Sequence, residues 1–195
     1  MKKTNFNDTH SCQGWLEIFK LYKNGTSELV HSDKNIVVNG MGFTVASLFS
    51  AEKTDDLEDY QILRFCLGTG AASVAVTTEN LASPLSTANY GDSSNFTKVT
   101  ADVGDNAGGS AVAVDQTFGA IPSQYVNKVD DRRMQWQLVV DEETANVSGL
   151  TEIGIYSVNP KKAATENSVL CAYKTFSAID KTSSFILVFR WTIEF

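Results

Sequence analysis

The sequence predicts a mainly β fold, an antiparallel β-sandwich of jelly-roll or immunoglobulin-like type with one short helix near residues 41–52. Three observations carry this expectation. Segments that alternate apolar and polar residues recur along the chain, separated by turn signals at the spacing of a sandwich. Only one stretch shows apolar residues at helical spacing. Strands do not alternate with helices, as a parallel sheet would require.

Residues 1–11, MKKTNFNDTHS, are polar and irregular, an N-terminal arm before a single domain over 12–195. In GWLEIFKLYKNGTSELVH, Trp15, Glu17, Phe19 and Leu21 alternate with Leu16, Ile18, Lys20 and Tyr22. Both faces of this first strand are partly apolar, so cover on both sides is expected. Asn24-Gly25 then signals a hairpin whose two turn positions need positive φ. NIVVN, 35–39, is another short strand. Over 40–53, Phe43, Ala46, Leu48 and Phe49 fall near one helical face, with Gly40 and Gly42 easing the turn into it. A strand over Gln61–Leu67 would place Leu63, Phe65 and Leu67 together.

From Ala71 to Gly119 small and polar residues dominate, and function-bearing loops are expected here. Thr78 is placed to cap a helical turn at TTENLAS. NFTKVTADV (95–103) and AVAVDQTF (111–118) alternate as half-exposed strands around a Gly/Ser-rich loop insert near 104–110. The last third is regular. RRMQWQLVVDEE sets Met134, Trp136, Leu138 and Val140 on one face, and NVSGLTEIGIYSVNP, SVLCAYKTFSAI and SSFILVFRWTIEF follow as strands.

A net charge of -7 argues against nucleic-acid binding, which needs a basic surface, and against adsorption to an anionic membrane. No apolar run is long enough for a transmembrane helix, and Lys2-Lys3 lead into no apolar signal segment, so synthesis in the cytoplasm is expected. Cys12, Cys66 and Cys171 are odd in number and far apart, which fits free thiols better than disulfides or a zinc site. His10 and His31 have no second ligand at helix or strand spacing. The acidic groups at Asp55-Asp56, Asp130-Asp131 and Asp141-Glu142-Glu143 stand at element ends. No metal or cofactor is expected.

Gly68-Thr69-Gly70 invites a phosphate-loop reading, but AASVAVTT follows without the required lysine, and no helix follows as a dinucleotide fingerprint would need. Gly68 and Gly70 are read as a tight exit from a strand. Glu152 is the most informative charge, because it lies in LTEIGIYS, inside a core strand. It is either a catalytic acid or a structural anchor that accepts backbone N–H groups or an arginine. The anchor is preferred, since no second catalytic group can be assigned beside it. Alternation puts Glu152, Gly154 and Tyr156 on one face, where Gly154 leaves room for another backbone. Trp15, Trp136 and Trp191 are either core aromatics or interface anchors.

The order of several short motifs is informative in its own right. Asn35–Gly40 reads N-x-V-x-N-G before the helix, and a strand then ends in Gly68–Gly70. Thr78–Leu81, an E-x-G-I-Y strand at Glu152–Tyr156, and a closing strand at Leu187–Ile193 follow. In this order the chain resembles a loose family of tailed-bacteriophage virion proteins, found among tail-fibre, collar, neck and capsid-accessory components. The resemblance spans most of 35–195 and implies a β-sandwich building block of the virion, with no catalytic residues. It implies a homo-oligomer that contacts other virion structural proteins through sheet edges and loops, as a tail, neck or fibre-associated adaptor or knob. The alternatives are a capsid decoration protein and a carbohydrate-binding module for a host-surface glycan, with Tyr90, Tyr125 or Trp136 as the aromatic candidates.

Overall fold

The computed structural model describes residues 12–103, 112–163 and 166–195, so the N-terminal arm and the insert near 104–110 lie outside the described residues. The fold is mainly β. Ten strands are described: β1 Gln13–Tyr22, β2 Ser27–Val37, β3 Ile62–Gly68, β4 Lys98–Val103, β5 Val112–Ala120, β6 Val126–Lys128, β7 Arg133–Val140, β8 Leu150–Ser157, β9 Asn167–Ile179 and β10 Phe185–Glu194. Two α-helices accompany them, α1 Asn39–Phe49 and α2 Thr87–Tyr90.

The strands form two layers, ordered β2-β1-β10-β7-β6 and β4-β5-β3-β8-β9. β2 belongs to both. Its residues from Ser27 to Asn35 pair with β1, and then Ile36 and Val37 cross to Tyr173 and Ala172 of β9. A strand that changes sheet in this way makes the corner of a sandwich. Pairing is antiparallel except where Asp102 and Val103 of β4 run parallel to Asn167 and Ser168 of β9. That short pairing closes the second layer into a ring, so the end of β4 has a partner on both sides.

The main core lies between the layers. Leu16, Ile18, Leu138, Phe189 and Trp191 of the first face Phe65, Leu67, Ile153 and Ile155 of the second. Each such side chain contributes about 1.5–3 kcal/mol on burial. Cys66, Phe118, Tyr156, Leu170 and Tyr173 form a second cluster on the other face of the second layer. Trp136 and Trp191 are therefore core residues, 4% and 0% exposed, whereas Trp15 is half-buried on the outer face of β1.

Local details depart from the sequence expectations for physical reasons. β1 gives the core one face only, because Trp15, Glu17 and Phe19 point away from the second layer and stay half-buried. The first hairpin uses a three-residue loop in which Gly25 alone has positive φ, at 83°. The Gly25 N–H donates to Tyr22 O and the Tyr22 N–H to Thr26 O, both at 2.9 Å. This turn needs one left-handed residue rather than the two of a tighter hairpin.

Helix α1 is rotated from the expected face. Gly40, Met41 and Thr44 are buried, and Phe49 is 85% exposed. The chain enters from Val38, whose N–H bonds Cys171 O at 3.0 Å, and Thr44 Oγ1 lies 3.0 Å from Ser157 Oγ. These two tethers set the rotation, leaving Phe49 outside. In β3 a bulge between Ile62 and Arg64 removes Leu63 from the core row, which consists of Ile62, Phe65 and Leu67. TTENLAS is not helical. Thr78 Oγ1 accepts the Ala75 N–H at 3.0 Å in a turn, and the helical turn comes later, at α2, where Asn89 Oδ1 accepts the Ser86 N–H. β6, only three residues long, gave no periodic signal.

Candidate functional site

Glu152 sits in the middle of β8, and strand alternation turns it toward the second cluster along with Gly154 and Tyr156. It is fully buried. Oε1 accepts the N–H groups of Gly70 at 3.0 Å and Ser83 at 2.7 Å. Oε2 accepts the Ala82 N–H at 3.0 Å and the Tyr173 hydroxyl. Both oxygens are thus occupied on the two sides a carboxylate offers. Burial first, and then the bond to Glu152, raise the Tyr173 pKa, so this hydroxyl stays a donor.

The bonds fasten the segment 69–86 across the sheet. The Thr69 N–H donates to Ser83 O at 3.0 Å, the Leu85 N–H to Leu67 O at 2.8 Å, and the Tyr156 hydroxyl to Asn80 Oδ1 at 2.9 Å. Gly68 and Gly70 make the close approach feasible. A Cβ at Gly68 would stand 2.5 Å from Ser83 O, and one at Gly70 would stand 2.5 Å from Glu152 Oε1. Gly154 works differently from expectation. Its missing side chain is replaced by the Leu170 and Leu81 side chains, not by a backbone. The structure therefore brings Glu152, Gly68 and Gly70 into one clamp, with Gly154 at its apolar margin. The clamp's other partners, backbone N–H groups, carry no side-chain signal in the sequence.

A second feature lies at the end of the sandwich where α1 sits. Two apolar hollows of about 400 and 560 Å³ flank the helix and share Met41, Val45 and Phe195. Trp136 and Met134 line the first, Cys12 and Val76 the second. Around them Phe49, Val76, Phe195 and Leu48 are 85%, 56%, 46% and 42% exposed. Periodicity could not find this surface, since Cys12 and Phe195 are brought together by the pairing of β1 with β10, and Met41 joins them from α1.

Cys66 and His31 are shifted from their ordinary values by their surroundings. Burial pushes the Cys66 thiol up to about 12, so it is not a thiolate at neutral pH. Burial and then the Lys174 charge lower the His31 pKa. Among the described residues no group of three or more His, Cys, Asp and Glu is arranged to hold a metal ion. Of the aromatic candidates for sugar contact, Tyr90 and Trp136 are buried and Tyr125 is half-buried in the α1 end of the core.

Lys181 is a buried amine, 2% exposed, whose Nζ donates to Asn146 Oδ1 at 3.1 Å and Thr182 O at 2.9 Å. Burial pulls its pKa down to about 8, partly offset by Asp141 and Glu142. Below that pH the folded and unfolded chains both carry the proton, and folding bears the full cost of the buried charge. Between about 8 and the ordinary lysine value the folded form sheds its proton first, so the cost falls as pH rises. Lys181→Met is expected to raise stability by about 1–3 kcal/mol at neutral pH. The gain should shrink toward zero by about pH 10, near the unperturbed lysine value, in paired urea denaturation curves.

No family model, curated protein or solved structure matches this chain.

Proposed function

We propose that this chain is a non-enzymatic structural component of a tailed-bacteriophage particle, a tail, neck or fibre-associated adaptor or knob that assembles as a homo-oligomer against other virion proteins. The motif order from Asn35 to Ile193 supports the virion context. The observation that carries the mode of action is the apolar end around α1, where Phe49, Leu48, Val76 and Phe195 surround two hollows. Scattered exposed apolar residues are ordinary, but a contiguous patch beside a hollow is what a subunit interface looks like before it is covered. Edge pairing is a lesser route. The second layer is closed by β4 and β9, and the free side of β2 from Ser27 to Lys34 carries Glu28, Asp33 and Lys34, charges that discourage strand addition.

Immunogold electron microscopy of purified particles tests the reading, using antibody against the recombinant chain. Label at the neck, baseplate or fibres supports it, whereas label over the heads assigns the chain to capsid decoration. Absence of label on intact and opened particles overturns the virion reading. The interface is tested separately. Phe49→Asp is expected to leave thermal stability within about 0.5 kcal/mol, as for an exposed site. It should shift the sedimentation profile of the purified protein from oligomer to monomer.

A further inference from the structure

The outer face of the first layer has no covering element among the described residues, and it is ordered as a grid. Trp15 of β1 stands between Lys34 of β2 and Thr192 of β10, and Gln135 of β7 follows Thr192. In the next row Ser32, Glu17, Arg190 and Gln137 lie side by side, and in the row before it Gln13, Glu194 and Arg133. Same-face neighbours on such a surface are about 5 Å apart across strands and about 7 Å along them. A concavity of about 410 Å³ opens here, lined by Trp15 together with Glu17, Arg190, Thr192, Arg133 and Glu194.

The charges in this concavity cancel. Glu17 and Glu194 balance Arg133 and Arg190, and they are held in local pairs. Arg190 Nη1 lies 3.3 Å from Glu17 Oε2, Arg132 pairs with Glu194, and Arg133 Nε donates to Asp130 Oδ2 at 2.6 Å. Paired in this way the ions exert little net field on a ligand. They still present guanidinium donors and carboxylate acceptors in fixed positions, joined by the Thr192 hydroxyl, to which Gln135 Nε2 donates at 3.2 Å. Lys34 Nζ lies over one face of the Trp15 ring, 5.9 Å from its centroid, which leaves the other face for a ligand. An aromatic platform whose lining carboxylates and guanidinium groups cancel, bordered by both donors and acceptors, is complementary to a molecule with an apolar ring face and a rim of hydroxyls.

We propose that the Trp15 face of the first layer is a binding site for neutral glycans, with one pyranose stacked on Trp15 and its hydroxyls bonded by Glu17, Arg190 and Thr192. An anionic polymer would gain only the single charge of Lys34 and would meet the carboxylates of Glu17 and Glu194. An apolar peptide would leave the guanidinium and carboxylate groups desolvated and unpaired, which is costly. This site is on the outer sheet face, away from the α1 end. It stands whether or not the chain belongs to a virion, and its test is separate from that of the oligomer.

The probes are neutral oligosaccharides of glucose, galactose, mannose and N-acetylglucosamine, with sulfated and sialylated oligosaccharides as the charged set. Titration is followed by calorimetry and by tryptophan emission, because Trp136 and Trp191 are buried and Trp15 is the indole that meets solvent. Saturable binding of at least one neutral probe is expected, with Trp15→Ala weakening it by about tenfold or more. Trp15→Phe should keep the heat signal within about threefold of wild type, well inside the tenfold step, while abolishing the emission change. Glu17→Gln, which removes an acceptor without removing the platform, should weaken binding severalfold. Both positions lie on the outer face, so circular dichroism should show unchanged folding for all three variants. Failure of every neutral probe to bind overturns the proposal. So does binding unaffected by Trp15→Ala, binding confined to the charged set, or a wild-type oligomer that Trp15→Ala dissociates, which would make this face a subunit contact.

Discussion

Glu152→Ala is expected to destabilise the fold by about 3–5 kcal/mol, at the upper end for single substitutions, as for loss of a buried hydrogen-bond network. The loss has an identifiable source. Removal of the carboxylate leaves the buried Tyr173 hydroxyl and the partly buried N–H groups of Gly70, Ala82 and Ser83 without their acceptor. Each unsatisfied donor costs about 1–3 kcal/mol, tempered by whatever relaxation or water entry the segment allows. Glu152→Gln keeps the shape and two acceptor positions but turns its amide N–H groups against donors, so about half the loss is expected. Urea denaturation measures both. Hydrogen exchange should locate the damage in 69–86 before the core strands are affected, because this segment is held by the clamp rather than by a ladder. Equal protection of that segment in wild type and Glu152→Ala would show that the clamp does not hold it.

Gly68→Ala is the second large effect, expected to cost about 2–3 kcal/mol, the upper range for forcing an atom into a filled site. The added methyl would meet Ser83 O at 2.5 Å and the Glu152 carboxylate, and a backbone carbonyl cannot swing aside as a flexible side chain can. The two substitutions address one clamp, so their effects should not add. With Glu152 already truncated, the methyl has one obstacle rather than two. A double-mutant cycle should return a coupling of about 1 kcal/mol, within the range for residues in contact. Strict additivity would mean that Gly68 is required for some reason other than the approach of 69–86 to β8.

These two positions also illustrate how far the sequence is legible. Glu152, Gly154 and Tyr156 share a face because the side-chain period of a strand admits no other arrangement, and the same rule places Trp136, Leu138 and Val140 together. A carboxylate between Leu150 and Ile153 advertises its own need for partners. Their identity was not legible, since an N–H donor at Ala82 resembles any other residue in a small-residue loop. Helix α1 resisted for another reason. Phe43, Val45, Leu48 and Phe49 leave apolar groups on most of its circumference, so its buried face was decided by Val38 and Ser157, the latter 113 residues beyond Thr44. The bulge that expels Leu63 exchanges one aliphatic residue for another, and composition cannot register it. Trp15 was legible as an aromatic on a strand, whereas its setting among Arg190, Thr192 and Gln135 depends on which strands become neighbours.

The place of β1 between β2 and β10 has a consequence for the order of events during synthesis. β1 and β2 leave the ribosome well before β10 and can form their hairpin without it, with Leu16 and Ile18 lined up on one side. The other neighbour of β1 is β10, and the pair Gln13↔Glu194 joins residues 181 positions apart in sequence. Until the ribosome has delivered Phe185–Glu194, the hairpin has an open strand side and an uncovered apolar face. Contacts this distant in sequence close slowly. The nascent hairpin is therefore the stage most prone to pair with a neighbouring chain, and the yield of folded protein should depend on how long translation holds it in that state.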